Sequence, residues 1–299
     1  MTTSAVVRFS PPPRPGLMRQ LLPRPVRDLV EEVEHRTARI PTRRNEYGYD
    51  PFGLDPDYGR ELIVSMCLVY RYWLRVETRG IERVPEGRVL LVANHAGNTF
   101  AWDGAMLGMA MLLEAEPPRR LRGMGEYYLP TIPFFSVFMH RMGSVVGTPA
   151  NCADLLAHDE AVMVFPEGQR GFVKPYSQRY RLQRFGLGFL RLALETDTPI
   201  VPIGIVGGEE QSPGIANVRA LGRLIGAPAF PITPLFPWLG LGGFLPLPVK
   251  FRMHFGEPMR FEGDPSEDDA AIEARVDTVK ETIHALIKDA RAARRSWFR

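Results

Sequence analysis

The 299-residue chain reads as α/β, with a largely parallel central sheet flanked by helices, on three observations. Short apolar runs recur and close on polar or turn residues: RVLLVANH, AVMVFPEG and TPIVPIGIVGGEE. Between them stand segments with helix-like apolar spacing, Gly104 to Glu114, Ala150 to His158 and Phe185 to Thr196. The runs are continuous rather than alternating, as expected of parallel strands buried on both faces. In such sheets ligand sites lie beyond the carboxyl ends of strands, which directs attention to the residues that close each run.

Taken in order, residues 1–25 are rich in Pro and Arg and read as a disordered or polyproline-like arm. Residues 26–79 read as an N-terminal helical segment. Helix-like spacing covers Val26 to Ile40, turn residues fill Asn45 to Tyr58, and a helix is predicted from Asp57 to about Tyr72. Its Leu62, Met66, Val69 and Trp73 share one face, which suits either the core or a membrane surface. The main domain is predicted over 80–299. KFRMHFGEP adds a late strand, and a long amphipathic helix closes the fold. Ser266 is the expected cap of that helix, which should bury Ile272, Val276, Val279, Ile283 and Leu286.

Composition excludes several functions. A net charge of +3 from nearly balanced acids and bases lacks the dense basic stripe of a nucleic-acid binder. Cys67 and Cys152 stand apart with no metal-ligand spacing, so neither a disulfide framework nor a zinc site is indicated. The amino-terminal stretch does not read as a secretory signal. A spanning helix needs about 20 apolar residues. Residues 62–74 are too few and contain Arg71, and 224–249 is charge-free but broken by Pro and Gly. That apolar insertion suits an acyl tunnel, a segment dipping into the bilayer interface, or an irregular core. The expected location is the cytoplasmic face of a membrane, peripheral or monotopic.

The chemistry concentrates at two strand ends, NHAGNTFAWDG and FPEGQRG. His95 can accept a proton from a hydroxyl near neutral pH, best with a carboxylate to fix its tautomer; Asp103 is the candidate partner. Its other role is to cap a helix beginning at Gly104. Seven residues separate the two. On one helix eight positions rise about 12 Å, too far to bond, so the chain between them must loop back.

With TIPFFSVFMHRMGSVVG and TPIVPIGIVGGEE, these blocks make four in order, and from about Gly80 to Pro258 the chain resembles the glycerolipid acyltransferases related to lysophosphatidate acyltransferase. The commonest family spacing has four residues between His and Asp. The longer spacing here resembles the branch that includes monoacylglycerol-acyltransferase-like members. The resemblance implies a glycerol-3-phosphate acyltransferase-like fold, His95 and Asp103 as catalytic residues, and substrate binding by Asn94, Glu167, Gly168 and Arg170. Glu167 would hold an acceptor hydroxyl and Arg170 a phosphate or the acyl donor. Phosphate-binding members carry an Arg beyond the Gly of the second block; here Gly143 is followed by SVVGTPAN, and Arg141 is the substitute. Lys174, Arg179, Arg181 and Arg184 suit the phosphates of coenzyme A, acyl carrier protein or anionic lipid, or else a solvated face. Gly204, Gly207 and Gly208 set the local shape of the chain, the reading preferred here, or would let substrate approach the backbone.

The implied reaction is direct transfer from acyl-CoA or acyl carrier protein, as co-substrate, to a lipid hydroxyl at a membrane surface. No GxSxG elbow is present, and no metal or other cofactor is implied. A thioesterase and a non-catalytic lipid-binding module are the rival readings.

Overall fold

The computed structural model describes residues 22–96, 100–132, 134–218, 222, 230–236, 238–294 and 296–298. Most of the expected arm, and 224–229 and 237 of the apolar insertion, lie outside these residues.

The predicted runs form strands: β2 (Val89–Ala93), β5 (Ala161–Val164), β6 (Ile200–Val206) and β9 (Arg252–Phe255). They are joined by β1 (Glu77–Arg79), β3 (Leu121–Gly125) and β4 (Val145–Val146) in one sheet, ordered β1-β9-β6-β2-β5-β3-β4. β2 pairs in parallel with both β5 and β6, and β6 with β9 is the antiparallel pair of this sheet. β7 (Ala216–Val218) and β8 (Phe230–Ile232) make a separate hairpin.

Two apolar layers sandwich the sheet, and the two-residue strand period assigns side chains to them. On one face Val89, Leu91 and Ala93 pack with α1 (Arg24–Ala38), α2 (Arg60–Leu68) and α3 (Trp102–Leu113) through Leu29, Val33, Cys67, Met106 and Met111. On the other, Leu90 and Val92 meet α5 (Pro149–Ala157), α7 (Gly188–Thr196) and α9 (Asp269–Ala292) through Leu155, Leu190, Val276 and Ile283. All five residues of β2 are 0% exposed, which explains the unbroken apolar run. The central strand is thus pinned from both sides just before it delivers Asn94 and His95.

Helix α9 differs from expectation at its start. Asp268, not Ser266, caps it by accepting from Ala271 N at 2.8 Å. Ser266 Oγ is turned to Asp264 at 2.6 Å. Ile287 takes the fully buried place expected for Leu286. Leu286 instead lies over Gly204, where a Cβ would stand 2.7 Å from Ile287 N. Gly204 therefore admits a helix against β6, not a substrate. Gly208 does the same for Ala96, whose Cβ would be 2.9 Å from an added methyl.

Candidate active site

The site starts where β2 ends. Asn94 is 1% exposed and spends its amide on β6: Nδ2 donates to Ile205 O at 3.0 Å, and Ile205 N donates to Oδ1 at 2.8 Å. The Asn94 amide, expected to bind substrate, is turned into the sheet here. The side chain replaces a ladder rung where β2 leaves the sheet, and it holds the next residue in place. Asn94→Ala strands a buried N–H and a buried C=O, so a loss of about 2–4 kcal/mol of stability is expected in denaturant unfolding.

His95 Nδ1 lies 2.7 Å from Asp103 Oδ2. The separation is closed because α3 begins at Trp102, bringing Asp103 back in its first turn; residues 97–99 of the connection lie outside the described set. Asp103 is fully buried and is not the cap of this helix, whose N-cap position is Ala101. It is held nonetheless: Oδ2 also accepts from Ala96 N and Oδ1 from Gly104 N, both at 2.8 Å. Burial pushes this carboxyl upward, but the adjacent His95 and the two backbone donors outweigh it and hold Asp103 below the usual aspartate value. An ionised carboxylate only accepts, so Nδ1 carries the hydrogen and Nε2 keeps its lone pair. Nε2 makes no hydrogen bond among the described residues, and the side chain is 13% exposed. The arrangement can take a proton at Nε2 and stabilise the cation formed.

Aromatic rings fix the imidazole plane, and a second carboxylate holds the His95 backbone. Phe165, just past β5, stacks on it at 4.2 Å and 16°, and Phe172 of the short helix α6 (Gln169–Phe172) lies 5.1 Å away. Glu167, expected to hold an acceptor hydroxyl, is also turned into the fold here. Its side chain is 0% exposed, with Oε1 accepting from His95 N at 3.0 Å and Oε2 from Gln183 N at 2.7 Å. A carboxylate turned inward onto two backbone donors positions His95 rather than offering itself to an acceptor hydroxyl. Gly171 permits the fit, since a Cβ there would stand 2.7 Å from Glu167 Cβ and 3.1 Å from His95 Cβ.

The basic residues divide. Lys174, expected to face a ligand, is buried between Glu209 at 3.2 Å and Glu167 at 4.0 Å. Burial pushes Glu209 above the usual glutamate value despite Lys174 beside it. Arg184 reaches Glu273 at 3.4 Å, and Arg179 lies over the Tyr176 ring at 4.7 Å. Arg141 is engaged by the N-terminal segment, stacked 5.1 Å over Tyr58 and 5.8 Å from Tyr49. Arg170 is exposed on α6 and bonded to no described residue. Gly168 has φ 53° and ψ −142°, a backbone conformation for glycine at the start of that helix. Sequence reasoning missed Phe165, Phe172 and Glu209. Phe165 stood inside FPEG and Glu209 inside VGGEE, but nothing local marked them as neighbours of His95 and Lys174.

A model of the acyltransferase family matches residues 75–206. An uncharacterized protein of Mycobacterium tuberculosis is 39% identical over 259 residues, covering 85% of this chain and 72% of its own length. The mouse protein named DGAT1/2-independent enzyme synthesizing storage lipids is 22% identical over 215 residues, 72% of this chain and 60% of that one. The chain belongs to the acyltransferase family. The crystal structure of the 1-acyl-sn-glycerophosphate (LPA) acyltransferase PlsC from Thermotoga maritima shares the acyltransferase's fold, with a TM-score of 0.50 at 19% identity over 79% of this chain and 81% of that one. Among the described residues of this acyltransferase, no helix is long and apolar enough to cross a membrane.

Proposed function

We propose that the protein is a membrane-surface O-acyltransferase that moves a fatty acyl group from acyl-CoA or acyl carrier protein to a hydroxyl of a glycerolipid or lysophospholipid. The observation that carries this reading is the 2.7 Å bond between His95 Nδ1 and an ionised, buried Asp103, which leaves Nε2 as the free base. The acceptor hydroxyl gives its proton to Nε2 as its oxygen attacks the thioester carbonyl carbon. Collapse of the tetrahedral intermediate breaks the C–S bond, and the departing thiolate takes the proton back from the imidazolium. No acyl-enzyme and no metal enter this scheme. Arg170, which has no partner among the described residues and lies on the helix that carries Phe172, is the proposed contact for a phosphate of donor or acceptor.

A face of exposed aromatic and aliphatic side chains supports action at a membrane. Trp73, Leu245, Trp297 and Phe298 are 45–65% exposed, and Trp238 is 86% exposed on the turn that leads to Leu245. The segments that carry most of them are tied together: Trp73 Nε1 donates to Pro246 O at 2.8 Å, Arg75 Nη2 to Pro248 O at 2.7 Å, and Lys250 N to Trp297 O at 2.9 Å. Apolar side chains of this size each contribute about 1.5–3 kcal/mol on burial. Trp238→Ser and Leu245→Ser should therefore each weaken co-sedimentation with anionic vesicles by about tenfold or more; unchanged partitioning would remove this face from the proposal.

The decisive experiment incubates the purified chain with labelled palmitoyl-CoA and lysophosphatidate, other lysophospholipids, monoacylglycerol or diacylglycerol, and identifies the product by mass. Ester formation that requires one acceptor is the expected result. Thioester loss at the same rate without acceptor would make the protein a thioesterase, and lipid binding with no thioester cleavage a carrier.

A further inference from the structure

A cavity of about 400 Å³ lies at the amino-terminal ends of β2, β3 and β5, the end of the sheet opposite His95. Its volume falls within the range of small-molecule sites. Arg43, Arg119, Arg120 and Arg122 line it together with Phe52 and His158, whose rings meet edge to face at 5.3 Å.

These arginines are not equally satisfied. Arg122 uses Nη2 on Asp50 and on Glu160, the latter at 2.6 Å, which consumes the two lining carboxylates nearest the strands. Its Nε and Nη1 are buried without a hydrogen-bond partner. Arg119 donates to backbone carbonyls, including Pro85 O at 2.7 Å and Asp159 O at 3.2 Å. Arg120 has a single bond, Nη1 to Thr42 Oγ1 at 3.3 Å, and no carboxylate partner among the described residues. Burial, with Arg122 beside it, pushes the Arg120 guanidinium down to about 10, so it stays charged at neutral pH. Exposed Arg43 is likewise without a carboxylate partner. Glu86 and Asp159 also line the cavity but are exposed, where solvent and salt screen them. The carboxylates near the half-buried Arg120, those of Asp50 and Glu160, are bonded to Arg122, so an anion entering the cavity would supply the direct charge partner that Arg120 lacks among the described residues.

We propose that this cavity binds a phosphate group, carried by a soluble ester or by a lipid head, with Arg120 as its anchor and Arg43 at its rim. It is a second site, separate from the one built on His95, so its binding does not depend on turnover. Calorimetric titration of the full chain with inorganic phosphate and with pyrophosphate, against chloride at matched ionic strength, tests it. A third arm uses vesicles containing phosphatidate. Saturable binding of the soluble ions identifies a free ester, and saturation by vesicles alone identifies a lipid head.

Arg120→Met should weaken binding at least tenfold while the unliganded variant melts no lower than the wild type, because the half-buried cation removed has only one long hydrogen bond and no directly bonded carboxylate among the described residues. Arg43→Gln, at an exposed position that leaves folding untouched, should weaken binding about threefold. His95→Ala should bind as the wild type does. Absence of saturable binding in all arms, an equal response to chloride, or full affinity in the Arg120 and Arg43 variants would each overturn the proposal.

Discussion

Replacing His95 with alanine is expected to lower acyl transfer by about 10²–10⁴-fold, the range that a positioned general base contributes. Two consequences must be separated, because the ring also faces a buried carboxylate. Asp103 keeps its bonds from Ala96 N and Gly104 N at 2.8 Å, so the fold survives, but with one partner fewer for a buried charge. His95→Asn separates the effects. Its amide nitrogen sits where Nδ1 does and can still donate to Asp103, restoring stability, yet it has no lone pair able to take a proton near neutral pH. Equal loss of turnover in both variants, with a higher melting temperature for Asn than for Ala, is the signature of a chemical role. Turnover near the wild-type rate in either would end the proposed mechanism.

Asp103→Asn is expected to cost a comparable 10²–10⁴-fold in turnover at neutral pH, although the two side chains have nearly the same shape. The carboxylate accepts three hydrogen bonds, from His95 Nδ1, Ala96 N and Gly104 N. An amide has one accepting oxygen. If that oxygen keeps a backbone donor, its NH₂ faces Nδ1, which must then accept, and the hydrogen moves to Nε2 where the base is needed. Stability follows the same residue. Because its folded value lies below the unfolded aspartate value of about 3.9, ionised Asp103 stabilises the fold above that pH. The contribution is lost as pH falls through the lower folded value. Wild-type melting temperature should thus drop more steeply as the pH falls below about 4 than that of Asp103→Asn. Parallel curves would show that the carboxylate is not held ionised.

The loop that brings the pair together illustrates what local reading misses. Counting residues shows that His95 and Asp103 cannot meet on one helix. It does not show that the chain returns as the first turn of α3. The strand β3 was overlooked for a related reason: LRGMG contains two glycines and a charge, a weak strand by composition. It sits inside the sheet because Asp50, 72 positions away, and Glu160, 38 away, neutralise Arg122.

The sequence by itself determined the buried strands, the helices between them, the family and the two residues that form the candidate acid–base pair. These depend on hydrophobic period and residue type, which are local properties. Only the tertiary structure decided what each polar side chain is spent on. Asn94 is consumed by β6 and Glu167 by two backbone amides, Lys174 sits between two glutamates, and Arg141 lies against two tyrosines. A buried donor or acceptor takes whatever partner the packed chain brings to it, and those partners come from segments far apart in sequence.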